Sequence, residues 1–323
     1  MSRSRLRARE KGATAVSKRG WILFAAMGVI WGIPYLLIKV AVEEVSPAFL
    51  VLARTSLAAL LLMPIALARG QVRPLFPRWK PLALFAVIEI CVPWLMLGLA
   101  EQQISSSLTG LLIAAVPLVG ALLARYGPAG DALDGRRVVG LLVGLAGVAA
   151  LVGFEVQVDD IRAVLALAVV AVAYAVGPLI LSRHLADLPG TGVMAVSLLL
   201  SAVIYLPFGV AQAPDQWPSG KVIAAIVALA VVCTAIAFLV FFALIAEVGP
   251  ARATVITYVN PAVALTLGVV VLDESFTIAT AVGFGLILLG SVLATSRDRK
   301  VPAARVAAAD VACAELGTPV GEP

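Results

Sequence analysis

The chain alternates between long apolar stretches and short polar segments. Ten of the stretches are about 20 residues long, the length that an α-helix needs to cross the hydrocarbon core of a bilayer. They lie at 21–42, 47–68, 81–100, 104–124, 137–154, 161–182, 192–211, 221–245, 251–271 and 276–295. The segments between them carry helix breakers: Gly70, Pro74, Pro77, Gly127, Pro128, Pro189, Gly190, Pro214, Pro218 and Gly220. Because backbone polar groups find no water inside a bilayer, each stretch must satisfy its own hydrogen bonds. The pattern therefore predicts an all-α integral membrane protein of about ten transmembrane helices.

The composition strengthens this interpretation and excludes several classes of function. Of the 323 residues, 62% are hydrophobic and 13% are charged, whereas soluble domains are roughly 45–50% apolar and about 25% charged. The three cysteines and the single histidine do not fall in a metal-ligand spacing, so we predict no disulfide framework, no metal and no cofactor. The sequence contains neither a phosphate-binding Walker A loop nor a common hydrolase motif, which argues against an enzyme. A membrane-embedded enzyme remains a minor alternative.

The charges are distributed unevenly between alternate loops. The net charge of +5 does not indicate nucleic-acid binding, because the basic residues lie in the tails and in alternate loops. If the N-terminus is cytoplasmic, the opposite side carries only two basic residues, Arg162 and Lys221. The acidic loop residues on that side are Glu43, Glu44, Asp159, Asp160, Asp273 and Glu274. Positively charged loops stay on the cytoplasmic side, so we expect both termini there, in a bacterial plasma membrane.

The chain also resembles itself at a shift of about 144 positions. Pro34 falls on Pro178 and Pro117 falls on Pro261, and proline is scarce inside helices. Further coincidences, the last two after removal of one residue, are Lys39 with Arg183, Gly140 with Gly283, and Gly147 with Gly290. Each half then has five spans, and an odd number inverts the second half relative to the first. Inverted repeats are typical of secondary transporters, although chance similarity between apolar segments is the alternative.

The repeat gives a division of the chain into four parts. We predict a basic cytoplasmic N-terminal tail, two five-helix repeats and a disordered cytoplasmic C-terminal tail. Their boundaries are 1–20, 21–154, 161–296 and 297–323.

Local patterns resemble the drug/metabolite transporter superfamily, in its EamA-like branch. The patterns are Trp31-Gly32 with Pro34, Tyr35 and Lys39; Pro47 with Arg54; Pro117; Asn260-Pro261; and Leu272-Asp273-Glu274-Ser275 before a glycine-bearing last span. The loop at 126–131 departs from the pattern, because it lacks the acidic turn that the second half has at Glu274. The resemblance implies transport of small organic molecules, usually as export from the cytoplasm. A passive facilitator or channel is the second class that we keep.

Two charged residues lie deep inside predicted spans. Glu89 lies about 12 Å into the third span, counted from Pro81 at about 1.5 Å per residue, and an ionised carboxylate is costly there. It is a candidate proton or substrate-amine site, or alternatively a carboxylic acid bonded to a neighbouring helix. Arg54, about 10 Å into the second span, is its expected partner, either as a fixed ion pair or as a contact for an anionic substrate group. Lys39 is nearer its helix end, and we expect it to extend towards the headgroups.

Prolines and further polar or aromatic residues complete the candidate pathway. The predicted helix breaks are at Pro34, Pro93, Pro117, Pro178 and Pro261, each of which frees a carbonyl one turn earlier or simply kinks the helix. The other pathway candidates are Trp31, Tyr35, Trp94, Tyr174, Ser197, Tyr258, Thr257 and Asn260. They can stack on a substrate or bind it by hydrogen bonds, or they can pack between helices.

Small residues and the apolar surface indicate the partners. Gly140 and Gly144 have the GxxxG spacing of close helix contacts, which suit packing inside the bundle and leave a homodimer as the alternative. The expected partners are a small-molecule substrate and the lipid bilayer, with proton coupling as a hypothesis.

Overall fold

The computed structural model is a bundle of apolar helices. It describes residues 17–124, 135–155, 157 and 160–295. In these ranges nine helices are long and apolar enough to cross a membrane, a tenth is shorter, and no strand occurs. In chain order we label them α1 Lys18–Ala41, α2 Pro47–Ala68, α3 Arg73–Glu101, α4 Ser106–Leu123, α5 Gly135–Phe154, α6 Ile161–Leu185, α7 Gly190–Ala211, α8 Gly220–Val248, α9 Val255–Val271 and α10 Ile278–Thr295. The predicted fold class is confirmed.

Several sequence-based predictions fall outside the described ranges. These are most of the basic N-terminal tail, the loop at 126–131 and the C-terminal tail from 297 onwards. The third span begins earlier than predicted, because a 3₁₀ turn at Arg73–Arg78 leads directly into Trp79–Phe85.

Serine residues begin several of the helices. The hydroxyl of Ser46 accepts a hydrogen bond from the backbone N–H of Phe49, 3.2 Å away, and Pro47 supplies the first helical residue. Ser105 and Ser219 cap α4 and α8 in the same way. Such caps satisfy N–H groups that have no partner within the helix, so these helix starts are encoded locally.

The two halves interlock through pairs of equivalent helices. Helix α5 packs against α10, α2 against α7, and α4 against α9. Two further large contacts also join the halves: α3 packs against α6, and α8 packs against α1. This is the arrangement of two inverted repeats around a shared centre.

The helices are irregular at matching positions in the two halves. Helix α4 is interrupted between Ile113 and Val116, and α9 changes from a 3₁₀ turn to an α-helix at Val259. Wider π-helical turns occur at Ala86–Cys91 in α3 and at Val231–Ile236 in α8, and these two segments coincide under the repeat shift to within one residue. The irregularity is therefore a property of the repeat, and π segments often lie at functional sites.

The structure locates the predicted proline breaks. Helix α1 stops at Ile30 and resumes at Pro34. Pro117 and Pro261 lie at the interruptions of α4 and α9, and Pro93 lies two residues after the end of the π segment of α3. Pro178 differs, because its helix continues through Ile180 and then widens into the π-helical turn Leu181–Leu185.

Glycines allow α5 and α10 to touch. A Cβ added to Gly147 would lie 2.7 Å from the carbonyl oxygen of Gly283, and one added to Gly290 would collide with the backbone of Gly144. The small residues therefore serve helix packing inside this chain, and the homodimer alternative stays untested.

The outer surface of the bundle is strongly apolar. Leu60 keeps 70% of its surface exposed, Leu142 62% and Val270 72%. Water-soluble proteins rarely expose large contiguous apolar surfaces, so this surface faces lipid.

Candidate functional site

A buried arginine lies at the middle of the bundle. Arg54 on α2 is 6% exposed, and its Nε donates a hydrogen bond to Oγ1 of Thr234 at 3.0 Å. Its guanidinium carbon lies 3.6 Å from the ring centroid of Trp94, a stacking arrangement that stabilises a desolvated cation. Thr234 belongs to the π segment of α8, and its own hydroxyl donates to the carbonyl of Leu229 at 2.8 Å. Arg54 is thus held by α3 on one side and by α8 on the other.

Part of the guanidinium remains available. The bond to Thr234 uses Nε, and the terminal nitrogens make no hydrogen bond with any described residue. Arginine carries five donors in a planar fork that matches carboxylate groups. The free donors can therefore bind an anionic group that enters the bundle.

Glu89 occupies the equivalent π segment of α3. Its Oε2 is buried and has no hydrogen-bond partner among the described residues. The carboxylate packs against Gly177 of α6, so closely that a Cβ at that glycine would collide with Oε2. Gly177 is thus the residue that makes room for an acidic side chain at this depth.

Arg54 and Glu89 do not form the expected ion pair. Within the described part of the chain no carboxylate oxygen lies within salt-bridge distance of Arg54. The two residues were predicted to lie at similar depths in the membrane, but their side chains contact different neighbours. Arg54 contacts Thr234 and Trp94, and Glu89 contacts Gly177. An unpaired acid and an unpaired base therefore coexist in this conformation.

Two tyrosines lie close to this acid and base. Tyr35 of α1, which is 8% exposed, interacts electrostatically with Tyr174 and Arg54. Tyr174 of α6 interacts electrostatically with Glu89 and Arg54. Five predicted residues from four helices thus gather in one polar cluster, and we call it the central cluster: Tyr35, Arg54, Glu89, Trp94 and Tyr174.

Three of the other predicted residues take part in contacts between helices. Trp31 packs against Phe241 of α8 with ring centroids 4.7 Å apart, and the hydroxyl of Tyr258 lies 2.8 Å from that of Thr295 on α10. The side-chain amide of Asn260, oriented so that its nitrogen faces acceptors, donates to the carbonyls of Gly28 and Ile256. The side chain of Thr257 is exposed, and the hydroxyl of Ser197 is buried with no partner among the described residues.

The sequence analysis missed one buried acid at the far end of α3. The side chain of Glu101 is 0% exposed. Lys39 donates from Nζ to the carbonyls of Glu101 at 2.6 Å and Ile104 at 2.9 Å, so the expectation that it extends to the headgroups was wrong. Helix C-termini attract cations, and this attraction competes with the headgroup region. In the sequence, Gln102 and Gln103 directly after Glu101 indicate the end of a helix. Polar residues at a helix end are expected to be exposed, so the sequence contains no sign that the carboxyl group is buried.

The acidic turn of the second half supports a helix of the first half. The carboxylate of Glu274 accepts hydrogen bonds from the backbone N–H groups of Ser106 and Ser107, both at 2.8 Å, and from the hydroxyl of Ser106 at 2.9 Å. It caps α4 where free N–H groups and the helix dipole favour an anion. Asp273 before it has φ of 54°, so a tight turn aims the carboxylate.

Comparisons with known proteins give a consistent family. The model of the EamA-like transporter family matches residues 18–153 and again 161–296. The uncharacterized inner membrane transporter YedA of Escherichia coli K12 is 30% identical over 291 residues, which cover 88% of this chain and 92% of that protein. The uncharacterized transporter YvbV of Bacillus subtilis is 25% identical over 292 residues, covering 88% and 94%.

A solved structure has the same arrangement of helices. A crystal structure with 26% sequence identity superimposes with a TM-score of 0.63, over 87% of this chain and 98% of the other. The family resemblance that the sequence motifs indicated is confirmed. The chain is a multi-pass membrane transporter and belongs to the EamA-like transporter family.

Proposed function

We propose that the protein is a proton-coupled secondary transporter that exports small organic molecules across a bacterial plasma membrane. Amino acids and related metabolites, or cationic drugs, are the proposed substrates. The observation that carries the proposal is the unpaired acid and base of the central cluster, Glu89 and Arg54, which lie among aromatic side chains inside a lipid-facing bundle. Intramembrane ionisable residues without a fixed partner typically mark substrate and ion pathways.

The chemistry of the central cluster suits a substrate with a cationic group. Glu89 provides a carboxylate for an ammonium group, and the free donors of Arg54 provide a site for a carboxylate. Tyr35 and Tyr174 can contribute hydroxyl groups and ring faces. A zwitterion uses both charges, whereas an organic cation uses only Glu89.

The π segments at matching positions of the two halves are the proposed sites of conformational change. The π segments of α3 and α8 carry Glu89 and Thr234, the acid and the anchor of the base. A change of helix geometry at either segment alters the central cluster directly. In the proposed cycle Glu89 takes up a proton from the outside and releases it to the cytoplasm. In exchange, the protein exports one substrate molecule.

The first test is a growth-inhibition screen, which also identifies the substrate class. A sensitive host expressing the protein is challenged with amino-acid analogues and with cationic drugs. We expect resistance to one class and loss of that resistance with Glu89→Ala. Resistance that survives Glu89→Ala would contradict the assignment of the site.

The second test measures coupling with the compound that the screen identifies. In proteoliposomes a pH gradient drives uptake by the wild type, and Glu89→Gln abolishes this flux while substrate counterflow persists. Asp215→Asn serves as the control, because Asp215 is exposed in the segment between α7 and α8. Full pH-driven flux in Glu89→Gln would refute the coupling. Counterflow without gradient-driven accumulation in the wild type would favour a passive facilitator.

We also propose that both termini are cytoplasmic. Cys91 and Cys233 are buried, so in a variant that also carries Cys313→Ser, new cysteines can be placed at exposed loop positions with little labelling of other thiols. In intact cells a membrane-impermeant maleimide labels Asp215→Cys, and it labels Asp187→Cys only after the cells are opened. The reverse pattern would invert the proposed topology.

A further inference from the structure

Glu101 is a buried carboxyl group that the proposed cycle does not use. Its side chain is 0% exposed, and both carboxyl oxygens lack a hydrogen-bond partner among the described residues. It ends α3, whereas Glu89 lies three turns earlier, about 18 Å away along the helix axis. The two acids are therefore separate sites on one helix.

The ionisable groups that affect Glu101 come from three neighbouring elements. Lys39 and Tyr35 face it from α1, Arg54 from α2, and Glu274 from the turn between α9 and α10. No described cation lies within salt-bridge distance of its carboxyl oxygens. Lys39, the nearest candidate, donates instead to the carbonyls of Glu101 and Ile104.

This arrangement determines the charge of Glu101 in the present conformation. An ionised carboxylate without any donor costs several kcal/mol when it is buried. The neutral acid avoids most of that cost. These contacts favour the protonated form of Glu101, while the ammonium of Lys39 donates to the neighbouring carbonyls of Glu101 and Ile104.

We propose that Glu101 is a second proton-binding site of this protein, for which Lys39 is the counter-cation of the deprotonated form. When the proton leaves, the ammonium of Lys39 moves from the two carbonyls to the carboxylate. Proton binding at Glu101 is in this way linked to the contact between α1 and the end of α3.

The central cluster connects this site to Glu89. Tyr35 interacts with both Glu101 and Tyr174, and Tyr174 interacts with Glu89. The charge on one acid is therefore felt at the other through the electrostatic interactions of the two tyrosines. This coupling between the acids rests on the proposed proton coupling at Glu89, whereas the protonation of Glu101 does not.

Infrared spectroscopy tests the protonation directly. The full chain is reconstituted in lipid, and the carbonyl-stretching band of protonated carboxylic acids is recorded at a series of pH values in H₂O and D₂O. We expect Glu101→Gln to remove one component of this band at neutral pH, and Glu101→Asp to restore a shifted one. An unchanged band in Glu101→Gln would overturn the proposal.

Lys39→Met tests the counter-cation. Without the ammonium, the component assigned to Glu101 should persist to a higher pH than in the wild type. An unchanged titration would overturn the role of Lys39. Circular dichroism melting of each variant identifies any that does not fold, and for such a variant Glu101→Asp in the wild-type background supplies the band assignment.

The outcomes separate this proposal from the proposed function. Loss of the band in Glu101→Gln together with intact pH-driven flux in Glu89→Gln supports the Glu101 site and refutes coupling at Glu89. An unchanged band in Glu101→Gln together with abolished flux in Glu89→Gln refutes the Glu101 site and supports that coupling.

Discussion

The two halves of the molecule use the same helix irregularity for different chemistry. The π segments of α3 and α8 coincide under the repeat shift, yet the first carries Glu89 and the second carries Thr234. Pro178 in α6 and Pro34 in α1 are equivalent, but the residues before them differ: Gly177 in α6 and Ile33 in α1. Gly177 makes room for the long side chain of Glu89. The repeat supplies a common backbone, and side-chain volume and charge have been redistributed between the halves.

Elsewhere the halves have stayed alike. Gly147 of α5 and Gly290 of α10 are equivalent, and each lies against the backbone of the opposite helix. Substitutions should therefore have equal effects on both halves where the repeat is symmetric, and unequal effects where it has diverged.

The largest effect is expected at the contact between α5 and α10. Gly147→Ala and Gly290→Ala should each destabilise the protein by about 3 kcal/mol, because the added methyl groups meet backbone atoms that cannot move aside. Thermal unfolding in detergent measures the loss. Gly285→Ala is the control, because nothing lies within 4 Å of its added Cβ. A large loss from only one of the two substitutions would show that the contact is not symmetric.

A somewhat smaller effect is expected at Gly177. Gly177→Ala should cost about 2 kcal/mol, because its methyl group displaces the carboxylate of Glu89. In a Glu89→Ala background the same substitution should cost almost nothing, and a double-mutant cycle of unfolding temperatures measures this coupling. Additive costs would mean that the glycine serves another contact.

The anchor of Arg54 comes next. Thr234→Val removes the acceptor of Nε and leaves a buried charged donor unsatisfied, for a cost of about 1.5 kcal/mol. Thr234→Ser keeps the hydroxyl and should retain most of the stability. If both variants unfold at the same temperature, the hydrogen bond to Arg54 contributes little.

The smallest effects are expected at two surface ion pairs. Arg78 forms two hydrogen bonds of 3.1 Å to Asp187, whereas Lys221 lies 3.7 Å from Glu43. Exposed pairs contribute about 0.5 kcal/mol, so Arg78→Ala should cost slightly more than Lys221→Ala, and salt should reduce both costs. Equal losses that are insensitive to salt would exclude an ionic origin.

Beside the second pair, Glu44 accepts a hydrogen bond of 2.6 Å from the backbone N–H of Ser219. Hydrogen bonds from Ser219 lower the pKa of Glu44 below its usual value. The stability that this contact contributes is therefore present above the ordinary carboxyl pKa and is lost as the pH falls through the lowered one. Glu44→Gln should remove this acid dependence, which unfolding temperatures measured from neutral to acidic pH will reveal.

The sequence predicted the helices better than it predicted the partners of buried side chains. The ten spans and the interruptions near Pro34, Pro117 and Pro261 follow from hydropathy and from the missing N–H of proline, which are local properties. The pairing of Arg54 with Glu89 was wrong, because depth in the membrane does not determine the direction in which a side chain points around its helix.

The role of Thr234 was only partly within reach of the sequence, because the repeat shift of 144 places the neighbouring Cys233 opposite Glu89. Glu101 was not, because its burial depends on the packing of α1, α4 and the turn at Glu274 around the end of α3. Local polarity predicted a helix end there, and only the assembled bundle reveals the buried acid.

The cap that Glu274 places on α4 also has a consequence for biosynthesis. The ribosome delivers α4 to the membrane long before it delivers the turn between α9 and α10. Until that turn is synthesised, the backbone N–H groups of Ser106 and Ser107 lack the carboxylate of Glu274. The N-terminus of α4 therefore stays without this cap. Linking both halves in one polypeptide guarantees one copy of the missing turn for every copy of α4.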